Sequence, residues 1–230
     1  MSWFNNDNAF PEEKKNYIRR FWMPNNSEKQ ITFVDGSTVM CGSVQVQTPF
    51  KYEEYQIQLN GSWRNWFTRP IEAKDDVLKQ MGHRASKVAA FTVIDHSEWT
   101  DKKGNVHRDE LALYVVKRSS QTWGIIERQL SRNNGNLRGM KFNVSRMGDK
   151  SPGVGSFLEF ESRTDLDSIQ GDWSSFNYLE ILKPKTKEEM DAILNPTNTE
   201  TFSSSDDGGW GNSGSSSQSS PWGSNNPVPF

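Results

Sequence analysis

The sequence has one cysteine in 230 residues, Cys41, and this count excludes a disulfide bond within the chain. It contains no apolar run that approaches the length of a bilayer-spanning helix. The first 22 residues lack the apolar core of a signal peptide. These absences predict a soluble, cytoplasmic protein without a membrane partner.

Motifs of catalytic and metal centres are also missing. There is no Gly-x-Ser-x-Gly elbow, no His-Glu-x-x-His and no cluster of carboxylates. The possible metal ligands do not pair at a spacing of three or four residues, and a structural zinc site needs four of them: Cys41, His83, His96 and His107. We expect no metal, no cofactor and no enzymatic activity, with His83 and His107 exposed and His96 paired with Asp95 at a strand end.

The glycine-rich segment 148–155 resembles a phosphate-binding loop only superficially. A Walker loop ends in Gly-Lys-Ser or Gly-Lys-Thr, where the lysine and the backbone amides meet the phosphates. This segment ends in Gly-Val-Gly, so we do not expect a nucleoside triphosphate site.

Basic residues are absent from the last 35 residues. This segment, 196–230, carries three acids and is dominated by serine and glycine, so it predicts a disordered tail. The tail ends in Val228, Pro229 and Phe230, whose ring and terminal carboxylate suit an apolar slot with a basic group in a partner protein. The alternative is a solubilising tail that ends in phenylalanine by chance.

The remaining sequence predicts a mainly β domain over residues 30–195, preceded by a helical extension over residues 1–29. A basic helix is expected at 12–22 and short helices at 74–81 and after Thr186, which begins a capping box with Glu189. Alternating or apolar runs predict strands at 30–34, 50–59, 88–99, 107–117, 139–146, 157–161 and 178–182. A helix at 120–132 lies between two of these strands.

This order of elements is typical of a five-stranded oligonucleotide-binding barrel (OB fold) with one helix between strands three and four. In that fold, nucleic acid crosses strands two and three and is gripped by the loop after strand one and the loop between strands four and five. The corresponding loops here are NGSWRNWFTRP, residues 60–70, and RMGDKSPGVG, residues 146–155.

Aromatic and basic residues alternate in the first of these loops. Aromatic rings stack on unpaired bases and cations follow the phosphates. We therefore expect a single-stranded nucleic-acid surface formed by Trp63, Arg64, Trp66, Phe67, Arg69, Trp99, Lys102, Lys103, Lys141, Arg146 and Lys150. The alternatives are that these aromatic residues belong to the core and that the basic segment 117–150 is a solvated face.

Two longer stretches carry a resemblance to a known family. VAAFTVIDHSEWTDKKGNVHRDELALYVVKRSSQTWGIIERQL and NLRGMKFNVSRMGDKSPGVGSFLEF are similar in character to the barrel of bacteriophage single-stranded-DNA-binding proteins. The tail adds an independent likeness, because bacterial proteins of this class end in a disordered linker, an acidic patch and a hydrophobic-Pro-Phe terminus. This chain departs from them in having Asn225 and Asn226 where the acids would stand.

The resemblance implies a protein that coats single-stranded DNA without sequence preference during replication, recombination or repair. It implies that the tail tip docks on a replication partner such as a polymerase, a primase or a helicase. Two alternatives stay open: an RNA-binding barrel of the cold-shock type, and an interaction or virion-assembly protein without nucleic-acid affinity.

Overall fold

A computed structural model describes residues 18–59, 61–100, 104–169 and 171–195, apart from the side chains of Trp63 and Arg64. Several predicted features lie outside these residues. They are the first 17 residues of the N-terminal extension, the cations Lys102 and Lys103, and the whole tail 196–230 with its tip Val228, Pro229 and Phe230.

The described residues are mainly β, as the sequence predicts. The strands are β1 (Ser27–Phe33), β2 (Thr38–Cys41), β3 (Val44–Gln47), β4 (Phe50–Leu59), β5 (Ser62–Thr68), β6 (Ser86–Asp95), β7 (Trp99–Thr100), β8 (Val106–His107), β9 (Glu110–Lys117), β10 (Met140–Arg146) and β11 (Phe157–Arg163). The helices are α1 (Val77–Gln80), α2 (Gln121–Arg132), α3 (Tyr178–Ile181) and α4 (Lys187–Leu194), with 3-10 turns at Ala73–Asp75 and Leu166–Ser168. None of these helices is long and apolar enough to cross a membrane.

Seven strands form one antiparallel sheet in the order β11-β10-β1-β6-β4-β5, with β9 on the other edge of β6. The first half of β6 pairs with β4 and its second half pairs with β1. Two small hairpins, β2-β3 and β7-β8, form separate two-stranded sheets. No ladder among the described strands joins β11 to β5 or to β9, so the strand pairs of this part of the chain show an open order of strands.

Strand β6 is buried from Val88 to Asp95, because both of its faces are covered. On one face Phe91 packs with α2 and with residues of β1, β9 and β10. On the other face Val88 and Ala90 pack with the β2-β3 hairpin and Tyr178. Strand β9 is likewise buried, from Ala112 to Val116. The prediction that the apolar run 111–116 is covered on both faces is therefore confirmed.

Helix α2 begins where the sequence predicts. The Ser120 hydroxyl accepts a 3.2 Å hydrogen bond from the Trp123 amide and so caps the helix. Trp123 and Ile126 are buried in the main core, and Leu130 packs against it. The apolar stripe along the helix therefore holds it against the sheet.

Helix α4 packs with strands β4 and β5 in a smaller core. Its Thr186–Glu189 capping box is present, as predicted. Met190 of α4 contacts a cluster that contains Tyr55 and Ile57 of β4 and Leu78 of α1.

Three predictions of local structure are wrong. Residues 62–68 form β5, paired with β4, rather than a loop. Residues 178–181 form the short helix α3 rather than a strand, and the buried Tyr178 at its start donates its hydroxyl to Asp35 at 2.5 Å. The described end of the predicted N-terminal helix, 18–22, is extended instead, since its backbone bonds to Leu113 of β9.

Candidate nucleic-acid interface

A groove runs beside β4, β5 and β9, and it consists of two adjoining cavities. The first, of about 850 Å³, is lined mainly by apolar side chains such as Tyr52, Leu113, Phe176 and Ile181; we call it the apolar arm. The second, of about 630 Å³, is lined by Trp22 and by a set of cations; we call it the cationic arm. The two arms share Arg20, Glu54 and Trp66, and these three residues form the junction.

An ion pair and a cation–π contact build the junction. The Arg20 guanidinium donates a 2.7 Å hydrogen bond to Glu54 and lies 4.3 Å from the centroid of the Trp66 ring. The Tyr52 hydroxyl donates to the other oxygen of Glu54 at 3.0 Å. Burial, followed by the negative charge of Glu54, raises the pKa of Tyr52 well above its ordinary value, so the phenol stays protonated and keeps donating.

The cationic arm carries an excess of positive charge. Its described lining has one acid, Glu54, against four basic residues: Arg20, Lys117, Arg146 and Lys150. Lys117 and Lys150 are exposed, and neither has a side-chain hydrogen bond or ion pair within the described residues. These two ammonium groups can therefore reach phosphate without breaking an internal contact.

Arg146 is held differently, because its guanidinium bonds two backbone carbonyls. It donates to Met23 at 2.6 Å and to Ser151 at 3.2 Å. The same guanidinium lies 5.8 Å from the centroid of the Trp22 ring. Arg146 thus joins the segment before β1 to the loop between β10 and β11.

The apolar arm is flanked by two further lysines, Lys183 and Lys185. Lys185, which precedes α4, lies 3.8 Å from Glu189 of that helix, and both side chains are exposed. Glu180 also lines this arm, so its charge is less one-sided than that of the cationic arm.

Four of the predicted site residues line this groove. Trp66, Arg146 and Lys150 meet in the cationic arm, and Trp66 continues into the apolar arm beside Phe67. Phe67 also packs against the small core of Tyr55, Ile57 and Leu78, so it has a structural role as well.

Arg69, another predicted phosphate contact, is engaged by two carboxylates. It pairs with Glu53 and donates to Asp76 at 2.8 Å. These bonds, the one to Glu53 first, raise the pKa of Arg69 above its ordinary value. Burial favours the neutral form of Asp76, but hydrogen bonds from Arg69, Tyr55 and the Lys79 amide outweigh it and lower the pKa of this carboxyl.

Two more predicted residues lie away from the groove. Lys141 pairs with Glu161 of β11 at 3.4 Å, and neither arm includes it. Trp99 stacks on His107 with ring centroids 4.2 Å apart and donates to Glu110 at 3.0 Å. The structure therefore does not gather Arg69, Lys141 and Trp99 into one surface with Trp66.

The histidines differ in part from the expectations. His107 is half-buried rather than exposed, because it stacks on Trp99 and lies 2.7 Å from a Glu110 oxygen. His96 bonds Thr32 and Asp109, not Asp95. His83 is exposed. No cluster of three or more potential metal ligands occurs within the described part of the chain.

Most residues that line the groove are absent from the site prediction, among them the basic and aromatic residues Arg20, Trp22 and Lys117. The sequence predicts a helix at Arg20 and Trp22, although the run Arg-Arg-Phe-Trp places basic and aromatic residues side by side. Lys117 was included in the basic segment 117–150 but not in the site. The signal was present in the composition, and the contact with β9 that brings Arg20 to Trp66 is not visible in the sequence.

Comparison of the chain with protein-family models, with curated proteins and with solved structures finds no match.

Proposed function

We propose that this protein binds single-stranded DNA without sequence preference and has no enzymatic activity. The observation that carries the proposal is the groove, in which the half-buried Trp66 shares a cavity with Lys117 and Lys150, two lysines without an ion-pair partner among the described residues. Stacking on aromatic rings suits any base, and lysines that follow the backbone read no sequence. Such binding would suit a protein that coats single-stranded DNA during replication, recombination or repair, and we propose this role.

We interpret the sheet as a variant of the oligonucleotide-binding barrel. The helix α2 between β9 and β10 supports this view, as does the segment 19–23. This segment bonds the outer edge of β9 through Phe21 and Leu113, and it bonds the loop before β11 through Met23 and Gly153. It thus connects the two regions that a closing ladder would join.

The decisive measurement is titration of the full-length protein with oligo(dT). Stacking should quench tryptophan fluorescence, and Trp66→Ala should weaken binding by about 1–3 kcal/mol. If Lys117, Lys150 and Lys183 each neutralise one phosphate, log K should fall with log salt at a slope of about −2. Absence of binding at low salt would reject the proposal.

The same titration separates the alternatives. An RNA-binding protein would prefer an RNA oligomer over DNA of equal sequence, because a 2′-hydroxyl contact favours RNA. An interaction or virion-assembly protein would bind neither oligomer.

The tail tip is proposed to dock on a replication protein. Phe230→Ala in the full-length chain should leave oligo(dT) affinity unchanged and weaken binding to a purified polymerase, primase or helicase. Equal binding of the variant to all three would reject this role.

A further inference from the structure

The indole of Trp22 lies directly against a glycine of the loop between β10 and β11. A Cβ atom added to Gly153 would stand 2.8 Å from Cδ1 and 2.9 Å from Nε1 of Trp22. Real Cβ atoms do not approach other atoms so closely, so the ring occupies space that any other residue would fill. The Met23 amide donates to the Gly153 carbonyl at 2.8 Å and fixes the backbone beside the ring.

Trp22 nevertheless remains 46% exposed, and it lines the cationic arm of the groove. A large aromatic ring supported by backbone and left half in solvent gains by covering its surface with another flat apolar group. An unpaired nucleobase has that shape, and the lysines of the arm would meet its phosphates.

Arg146 holds this arrangement from the side. Its Nη1 and Nε donate to the carbonyls of Met23 and Ser151, which flank Trp22 and Gly153 in the two segments. A planar guanidinium makes both bonds at fixed angles, and a lysine ammonium cannot reproduce them. Two of its nitrogens are therefore committed to the backbone.

We propose that Trp22 is a second nucleobase platform of the groove and that Arg146 is its positioning residue rather than a phosphate contact. This inference rests on the proposed function and assigns separate roles to two residues of the same site. Trp22 stacks on any base of a single strand, Gly153 makes room for the indole, and Arg146 keeps the two segments together.

The platform is tested first by photo-cross-linking. An oligo(dT) in which single thymidines are replaced by 5-iododeoxyuridine should cross-link to Trp22, as mapped by mass spectrometry of the peptides. Trp22→Ala should weaken oligo(dT) binding about 5- to 150-fold, and Trp22→Phe should retain most of the affinity because it keeps a stacking ring. Wild-type affinity in Trp22→Ala would overturn the platform.

The contact of the Trp22 ring with Gly153 is tested with two matched glycine substitutions. Gly153→Ala should displace the indole and weaken binding by a similar factor. Gly124→Ala, on helix α2, is the control, because a Cβ there meets nothing within 4 Å. In a two-dimensional NMR spectrum, the indole N–H signal assigned through Trp22→Phe should move in the first variant and stay in the second. An unmoved signal in Gly153→Ala would show that Gly153 does not position the Trp22 indole.

The role of Arg146 is tested by a charge-preserving substitution. Arg146→Lys keeps the charge but loses the two carbonyl bonds, so it should weaken binding as much as Arg146→Gln, with the salt slope unchanged. Lys150→Gln, by contrast, should lower the magnitude of that slope by about 0.7. Near-wild-type binding by Arg146→Lys, together with a reduced slope in Arg146→Gln, would make Arg146 a phosphate contact and overturn the assignment.

The outcomes separate this inference from the function on which it rests. If the wild-type protein binds oligo(dT) and Trp22→Ala binds equally well, the platform is wrong and the proposed function stands. If the wild-type protein binds no oligomer, both fail. Circular dichroism of each variant identifies any substitution that prevents folding, and the cross-linking result needs no substitution.

Discussion

Arg20 covers one face of Trp66, with its guanidinium carbon 4.3 Å from the ring centroid, while its ion pair with Glu54 holds it there. The ring can therefore offer only its other face to a base unless Arg20 moves.

Removing Arg20 should destabilise the fold. Glu54 is 7% exposed, and Arg20→Ala would leave its carboxylate buried without a cation, at a cost of about 3–5 kcal/mol in the free energy of unfolding. Urea denaturation measures this change. Lys74→Ala is the control, because its pair with Glu72 is largely exposed, and it should leave the midpoint unchanged. Equal midpoints for both variants would contradict a buried pair.

Asp76 should make stability fall in acid. Its pKa is lowered in the folded protein, so its contribution is present above the ordinary carboxyl pKa, near 3.8, and is lost as the pH falls through the lower folded value. Asp76→Asn should reduce stability at pH 7 and flatten the decline below about pH 4. Unfolding free energies measured from pH 2 to pH 7 for both proteins check this, and parallel curves would refute it.

Asp35, in contrast to Asp76, should make the stability of the protein fall as the pH rises. Burial raises its pKa, so its contribution is complete below about pH 4 and is lost as the pH rises through the folded value. Asp35→Asn stays neutral, and its stability relative to wild type should improve as the pH rises from 4 to 7. Urea denaturation across this range is the measurement. A constant difference between the two proteins would show that Asp35 does not titrate there.

Gly139 should tolerate no side chain. Its φ is +77°, and a Cβ would overlap the carbonyl oxygen of Thr164, whose amide bonds the Gly139 carbonyl at 2.8 Å. Gly42 also has a positive φ, of +62°, but open space around it. Gly42→Ala should cost about 1 kcal/mol for the backbone alone, and Gly139→Ala should cost more by about 1–3 kcal/mol. Thermal melting compares the two, and equal losses would rule out the steric contribution.

Trp99 belongs to the site predicted from the sequence but lies outside the groove that the structure shows. Because it stacks on His107 outside the groove, Trp99→Ala should change oligo(dT) affinity less than about twofold, against the larger loss expected for Trp66→Ala. Fluorescence anisotropy of labelled oligo(dT) measures both. A loss in Trp99→Ala as large as that in Trp66→Ala would restore Trp99 to the binding surface.

Local patterns predicted much of the fold. The alternation in Phe50–Leu59, the cap at Ser120 and the capping box at Thr186 each depend on neighbouring residues, and the structure has all three. The misassignments at 62–68 and at Tyr178 have different causes. Residues 62–68 pair with the preceding strand β4, and the Asn-Gly pair at 60–61 is a local hairpin signal that favours this pairing. Tyr178, by contrast, bonds the buried Asp35, which is 143 residues away in the sequence, and no local pattern reports this contact.

The candidate site, too, was predicted only in part from the sequence. Composition selects Trp66, Arg146 and Lys150, which line the groove, but charge alone cannot distinguish a lysine without a partner from an arginine already engaged. Arg69 has Glu53 and Asp76 as partners, and Lys141 has Glu161. Each of those carboxylates comes from another segment, so the pairing emerges only when the chain folds.

The pairing of both edges of strand β6 affects how the sheet unfolds. Its one edge is shared between β4 and β1, and its other edge is occupied by β9 along eight residues. Neither half of the sheet can detach without exposing the backbone of a strand that the other half also needs. We therefore expect the sheet to unfold in a single cooperative transition, with the amides of Val88–Ile94 exchanging last with deuterated solvent.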